Sequence, residues 1–401
     1  MENYSLFRAP GTIIYGSHSF TKVGVEAASR GKKVLIVTDE IIAGLGHIDV
    51  CISHLQKENV EAVVFPGVNS EPTDAHVSKA LEVFEREHCD LVVSVGGGSC
   101  IDTAKAVAVL ASNGGYIGDY MGGKKKAGKR SFPHIAIPTT GGTGSEATDV
   151  TIIINVINGE KMMIKQAAFM PEVAIVDALL SVSSPKSVTA ATGVDALTHA
   201  IEAYISRKAH PLTDTLALSA MKLVIHHIRA AYVNGTDLKA REAMSLGSLQ
   251  AGMAFCNASV CLVHGMSRPL GALFHVPHGI SNAMLLPAVL SFSSEDCVAR
   301  LADVGRIFSD KINSYTDEEA AFFAIEEVKK LCMDLNIPNL KDYGIDQQVF
   351  ESVLDKMSSD ALKSGSPANN PKVPTQEEIK QLYLECYSYS FVACWARQHK
   401  V

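Results

Sequence analysis

The sequence predicts an α/β domain followed by an all-α domain, and three observations carry that reading. The first half alternates short β-branched runs with longer amphipathic ones, the pattern of a parallel sheet wrapped by helices. Each of the clearest strand-like runs ends at Gly, Pro, Asp or a Thr cluster, so loops gather at the strand C-termini, the edge where open α/β sheets bind ligands. Beyond Leu180-Ser-Val-Ser-Ser-Pro-Lys186 the strand signals fade and long apolar periodicities take over. The boundary is expected at about 180 to 187, giving domains 1–183 and 184–401.

Taken in order, Val34-Leu-Ile-Val37, Ala62-Val-Val-Phe65, Leu91-Val-Val-Ser-Val95 and His134-Ile-Ala-Ile137 read as buried strands. Val150-Thr-Ile-Ile-Ile154 and Val173-Ala-Ile-Val176 are further strand-like runs. Helical periodicity then runs through Thr213 to Ala231, Ala240 to Met253 and Glu318 to Met333. Ser364-Gly-Ser-Pro-Ala-Asn-Asn-Pro371 reads as a surface loop before a last helix from Thr375 to Arg397.

With 401 residues, 47% of them hydrophobic, the chain can bury full-sized cores. A formal net charge of −7 supplies no basic stripe for nucleic acid or an anionic membrane. The one basic cluster, Lys124-Lys-Lys126 with Lys129-Arg130, sits among glycines and reads as a solvated loop. Nine cysteines without paired spacing point to free thiols, and the start Met-Glu-Asn-Tyr lacks an export signal's basic and apolar regions. The longest apolar runs fall short of the ~18 residues of a membrane helix, so a cytoplasmic protein is expected.

Asp195 and His199 lie four apart in a run without a breaker, which puts a carboxylate and an imidazole on one helix face. His264 and His278 bracket a Gly/Pro-containing stretch and offer two further donors. One carboxylate with three histidines is a borderline ligand set, suited to Fe²⁺ or Zn²⁺ rather than Mg²⁺ or Ca²⁺. Satisfied core histidines are the plainer account of the same residues.

Gly96-Gly-Gly-Ser-Cys-Ile-Asp-Thr-Ala-Lys105 follows a strand and opens a helical run, presenting backbone N–H groups and a positive helix end to a phosphate. An ordinary strand-to-helix turn has the same composition. Ile137-Pro-Thr-Thr-Gly-Gly-Thr-Gly-Ser-Glu146 repeats the placement after another strand. Asp39, at the end of the strand from Val34, is placed to accept from the ribose hydroxyls of NAD and to repel the 2′-phosphate of NADP, or else to cap the following helix.

The runs Gly193-Val-Asp-Ala-Leu-Thr-His199-Ala-Ile-Glu-Ala-Tyr204, Val263-His-Gly-Met-Ser-Arg-Pro-Leu-Gly271 and Pro277-His278-Gly279 resemble the metal-binding segments of the iron-containing (group III) alcohol dehydrogenases. The GGGS-x-x-D-x-A-K block is similarly the pattern of that family and its dehydroquinate synthase-like relatives. The resemblance spans Gly11 through Pro371 and implies an N-terminal dinucleotide domain, a C-terminal metal-binding domain and an active site in the cleft. It implies Asp195, His199, His264 and His278 as ligands of Fe²⁺, with Zn²⁺ as the alternative ion. Gly96, Gly97, Gly98, Ser99 and Asp102 would cradle the NAD pyrophosphate, and Thr139, Thr140 and Thr143 would bond the cofactor near its phosphates and nicotinamide.

The implied activity is an NAD-linked alcohol dehydrogenase or aldehyde reductase acting on a short-chain substrate, in a homodimer or larger homo-oligomer. The ion would act as a Lewis acid on the substrate oxygen while hydride passes to or from the nicotinamide. A hydroxyacid-oxoacid transhydrogenase, a glycerol dehydrogenase or dehydroquinate synthase using Zn²⁺, and a non-enzymatic metal-binding protein are the alternatives. His275, three residues before His278, is placed to relay a proton or fix the nicotinamide, an ordinary buried histidine being as good a reading. Arg268, four residues after His264, stands where many family members carry a second histidine. Its fork suits a carboxylate, sulfonate or phosphate, so a substrate with an anionic tail is expected, unless it pairs with a local Glu or a cofactor phosphate.

Overall fold

The computed structural model describes residues 4–392. It divides into two compact units, Phe7–Ser184 with Thr236–Cys256, and Met1–Leu6 with Pro185–Gly235 and Asn257–Val401. A single cut at 183/184 therefore leaves out of the first domain residues 236–256, which are helical from Leu238 yet pack with the α/β unit.

The α/β unit contains strands β1 (Thr12–Tyr15), β2 (Lys33–Val37), β3 (Glu61–Phe65), β4 (Leu91–Gly96), β5 (His134–Pro138), β6 (Val150–Ile154), β7 (Lys161–Lys165) and β8 (Val173–Val176). Six of them form one parallel sheet in the order β1-β8-β5-β4-β2-β3. Helices α1 (Val23–Ala28), α2 (Glu40–Gly44), α3 (His47–Lys57), α4 (Asp74–Arg86) and α5 (Gly98–Asn113) connect them. Because successive strand side chains point to opposite faces, Val34 and Ile36 enter one core with Val93, Ile135 and Ile175, while Leu35 and Val37 enter another with Val92 and Val107. Burial on both faces explains why these strands read as continuous apolar runs.

The alternation missed β1 and β7. It found β6 but not its setting: β6 pairs antiparallel with β7 in a separate two-stranded ribbon, Val150 opposite Lys165.

The remaining helices are α6 (Lys186–Ile205), α7 (Pro211–Val233), α8 (Leu238–Ala258), α9 (Leu262–Phe274), α10 (His278–Ser293), α11 (Val298–Phe308), α12 (Asp317–Asp334), α13 (Leu340–Tyr343), α14 (Gln347–Ser352), α15 (Leu354–Lys363) and α16 (Gln376–Tyr387). Capping boxes start α12 at Thr316/Glu319 and α16 at Thr375/Glu378. The last helix ends at Tyr387, well short of the expected Arg397, which lies outside the described residues.

The expected surface loop 364–371 instead turns inward. Asn369 Nδ2 donates to Val260 O at 3.2 Å, Asn370 Nδ2 donates to Ser293 Oγ at 2.9 Å, and Pro367 is buried. It does precede the last helix, as expected, but its two asparagines satisfy polar groups inside the unit. The basic segment around Lys124–Arg130 is exposed, the eight described cysteines are all free, and no single described helix is long and apolar enough to cross a membrane.

Candidate functional site

In the helical unit, α6 runs without a breaker and places Asp195, His199 and Glu202 at i, i+4 and i+7, on one face. His264 is the third residue of α9, and His278 opens α10 directly after Pro277. One donor atom from each of Asp195, His199, His264 and His278 falls within 4.8 Å of all the others. Asp195 Oδ1 lies 4.0 Å from His199 Nδ1, 3.7 Å from His264 Nε2 and 3.9 Å from His278 Nε2. Such spacing suits donors gathered round one cation with bonds of ~2.1 Å. Asp195, His199 and His264 are buried, whereas the His278 side chain is 33% exposed, so the cluster opens on the His278 side.

Burial opposes ionisation of Asp195, but the charges of His199 and His278 and the hydrogen bond to His264 hold its carboxyl well below the usual range. Burial likewise opposes a charge on His264, yet Glu202 and Asp195 raise its pKa to about 9. Three imidazoles and a carboxylate at this separation repel or share protons unless a cation joins them. The donor set thus fits a divalent transition ion.

Two residues that the sequence reading passed over complete the cluster. Glu202 accepts from His264 Nδ1 at 2.6 Å and from the backbone of Cys261 and Val263 at 2.9 and 2.7 Å. Asn282, one turn after His278 on α10, donates from Nδ2 to Asp195 Oδ1 at 2.7 Å. The same nitrogen lies 3.1 Å from His264 Nε2 and 3.3 Å from His278 Nε2. Helical spacing was the available signal: Glu202 is i+3 from His199, and Asn282 is i+4 from His278. Gly265 follows His264 because a Cβ there would stand 2.7 Å from the Pro367 ring.

Arg268 follows His264 by one turn on α9 and is half-buried. Burial lowers its pKa to about 10 and the Glu202 carboxylate opposes that, so the guanidinium stays charged at neutral pH. His275 is not the buried histidine considered as its plainer reading: it closes α9 in the left-handed region, at φ 54°, and is exposed.

In the α/β unit, β4 ends at Gly96 and α5 opens at Gly98 with Gly97 as its N-cap, an extended residue with no side chain to satisfy the helix N–H groups. A Cβ on Gly97 would stand 3.8 Å from Thr140, and one on Gly98 would stand 3.1 Å from Thr143. The two loops therefore face each other across a space that side chains at 97 and 98 would fill. Thr139 N donates to Gly96 O at 3.0 Å, which ties the loops together, and Thr140 Oγ1 is buried without a hydrogen-bond partner. Bare backbone, a helix N-terminus and an unsatisfied hydroxyl fit a pyrophosphate.

Asp39 is the helix cap that the sequence allowed. Oδ1 caps α2 by accepting from Ile42 N at 2.8 Å, and Oδ2 accepts from Cys100 Sγ at 3.6 Å and turns toward Gly96, 3.8 Å from where its Cβ would be. Oδ2, which takes no part in the cap, is the oxygen on the Gly96 side. Asp102 is bonded inward: Oδ1 accepts from Ser145 Oγ at 2.5 Å and Oδ2 from Ile152 N at 2.9 Å, so it braces α5 against the Thr-rich segment. Ser99 is half-buried on the first turn of α5, and its carbonyl accepts from Thr103 Oγ1 at 2.9 Å.

Residues 10–178 match the sequence model of a family described as iron-containing alcohol dehydrogenase, and residues 189–387 match that of the Fe-containing alcohol dehydrogenase family, C-terminal. The 1,3-propanediol dehydrogenase of Citrobacter freundii is 37% identical over 385 residues, covering 95% of this chain and 98% of that relative. A crystal structure of 1,3-propanediol oxidoreductase superposes with a TM-score of 0.92 at 36% identity, covering 96% of this chain and 100% of that one. The sulfoacetaldehyde reductase of Bifidobacterium kashiwanohense, solved in complex with NAD⁺, gives 0.85 at 28% identity, covering 97% of this chain and 100% of its own.

Proposed function

The chain belongs to the iron-containing alcohol dehydrogenase family, an oxidoreductase family, and from that membership we propose an NAD-linked enzyme that interconverts a short-chain alcohol and its aldehyde with Fe²⁺ held by Asp195, His199, His264 and His278. The observation that carries the proposal is the convergence of one carboxylate and three imidazole donors within 4.8 Å, with its opening beside His278. When bound, the ion supplies Lewis acidity to the substrate oxygen and NAD exchanges the hydride.

The chain's own residues position these groups. Asp195 keeps its negative charge in a buried setting, Asn282 fixes that carboxylate, and the packed faces of α6, α9 and α10 keep water from the inner side of the cluster. Gly96, Gly97 and Gly98 admit the pyrophosphate, Thr140 offers it a hydroxyl, and the Asp39 carboxylate beside Gly96 favours NAD over NADP. Chelator-treated enzyme should lose activity and regain it with Fe²⁺ added anaerobically. Full activity after exhaustive dialysis against chelator would sink the proposal. A homodimer or larger assembly is part of this reading, and light scattering of the purified enzyme tests it.

Within that activity we propose a substrate with an anionic tail. Arg268 supports it, a charged fork one turn from His264 on α9, and so does the likeness to a sulfoacetaldehyde reductase. The test compares kcat/KM for propanal, glycolaldehyde, succinic semialdehyde and sulfoacetaldehyde in wild type and Arg268→Ala. Anionic aldehydes should lead in wild type and lose most in the variant. If neutral aldehydes match them, and the variant slows all four equally, the anion-binding role of Arg268 falls.

A further inference from the structure

We propose that Glu202 is the positioning residue that makes His264 a metal ligand: one buried carboxylate fixes the protonated nitrogen of the ring and caps the helix that carries it. The inference rests on the metal reading above.

Glu202 is 1% exposed, and a carboxylate taken so far from water is tolerated only if its oxygens are bonded. Here they are, by three groups at the start of α9. Oε1 accepts from Val263 N at 2.7 Å, and Oε2 accepts from Cys261 N at 2.9 Å and from His264 Nδ1 at 2.6 Å. The N-cap residue Cys261 contributes no side-chain cap of its own. The positive end of α9 is therefore satisfied from α6, by a charged acceptor.

The bond to the ring has a chemical consequence. A neutral imidazole carries one ring proton, and an ionised carboxylate only accepts, so Glu202 holds that proton on Nδ1. The lone pair is left on Nε2, the atom 3.7 Å from Asp195 Oδ1 and turned into the four-residue cluster. Without this acceptor the proton is free to sit on Nε2, where it blocks coordination. Such outer carboxylates raise ligand basicity and fix ring orientation. Because Asp195, His199 and Glu202 share one face of α6, that helix supplies two ligands directly and disciplines a third across the helix pair.

The nearly isosteric Glu202→Gln is the decisive variant. Its amide must either set an N–H against the backbone N–H groups of α9 or donate to Nδ1, which drives the ring proton to Nε2. The full-length protein is stripped and reloaded with Zn²⁺ as a redox-silent probe, affinity is measured by chelator competition, and ring N–H protons are observed by NMR with ¹⁵N-labelled histidine. Glu202→Gln should stay folded, weaken Zn²⁺ binding by ~10–100-fold and lose the low-field Nδ1–H resonance of His264. Glu202→Asp, which keeps the charge, should restore part of both, and stands in if the Gln variant does not fold. A fall in Tm with affinity and resonance unchanged would show a helix cap and nothing more, and overturns the inference. His264→Ala separates the two readings: if it binds Zn²⁺ as tightly as wild type, the metal site itself is wrong. If it loses Zn²⁺ while Glu202→Gln does not, only the role of Glu202 falls.

Discussion

At the scale of single residues, the proposed metal ligands and the carboxylate of Asp39 give the sharpest expectations. His264→Ala removes one of four donors and leaves Glu202 without its ring partner, so the protein should lose metal and turnover and be less stable, with its helical content kept. Metal analysis after dialysis and circular dichroism check both halves of that statement. Asp39→Asn keeps the α2 cap, because an asparagine oxygen accepts from Ile42 N as well as an aspartate does, but removes the charge facing Gly96. The ratio of kcat/KM for NAD to that for NADP should therefore fall while Tm holds. An unchanged ratio would make Asp39 a helix cap alone.

At the scale of elements, the site depends on how closely the start of α9 approaches its neighbours. Gly265→Ala would gain about 1 kcal/mol of helix propensity. The added Cβ would, however, lie 2.7 Å from Cγ of Pro367, a stiff ring on a buried segment, and overpacking of that kind costs ~1–3 kcal/mol. The steric term wins, so the expected result is a lower Tm together with weaker metal retention, since the residue pushed aside adjoins His264. Thermal melts and metal content on the same preparations test the pair of effects, and a raised Tm would show that α9 has room to move. The segment containing Pro367 reads in the sequence as a surface loop, and its burial is what makes a glycine necessary beside His264.

At the scale of the whole molecule, acid should act through a buried group of the α/β unit. His134 in β5 is buried with Nε2 2.8 Å from Ser94 Oγ, and burial, helped by the charge of Lys105, lowers its pKa to about 3 from the ordinary 6.5. Its folded-state pKa is depressed, so the unfolded chain binds the proton first. The stability tied to neutral His134 is complete above pH ~6.5 and is lost as pH falls from there toward the folded value, at up to about 1.4 kcal/mol per pH unit. His134→Leu should flatten that part of the acid limb in urea melts run between pH 7 and 5, and an unaltered slope would contradict the assignment. What the sequence by itself determined were features with a local cause. Strands buried on both faces showed as apolar runs, α6 showed as a breaker-free stretch with Asp195 and His199 one turn apart, and the glycines of α5 stood between strand and helix. Only the tertiary structure decided what depends on distant partners. That β6 leaves the parallel sheet for β7 follows from pairing, which apolar alternation does not encode. That residues 236–256 pack with the α/β unit, and that residues 364–371 turn inward, follows from what their side chains meet. Helical spacing put Glu202 and Asn282 on the right faces but could not assign their roles, for the same reason: a carboxylate or an amide acquires its role from the group it bonds, and His264 and Asp195 lie 62 and 87 residues away along the chain.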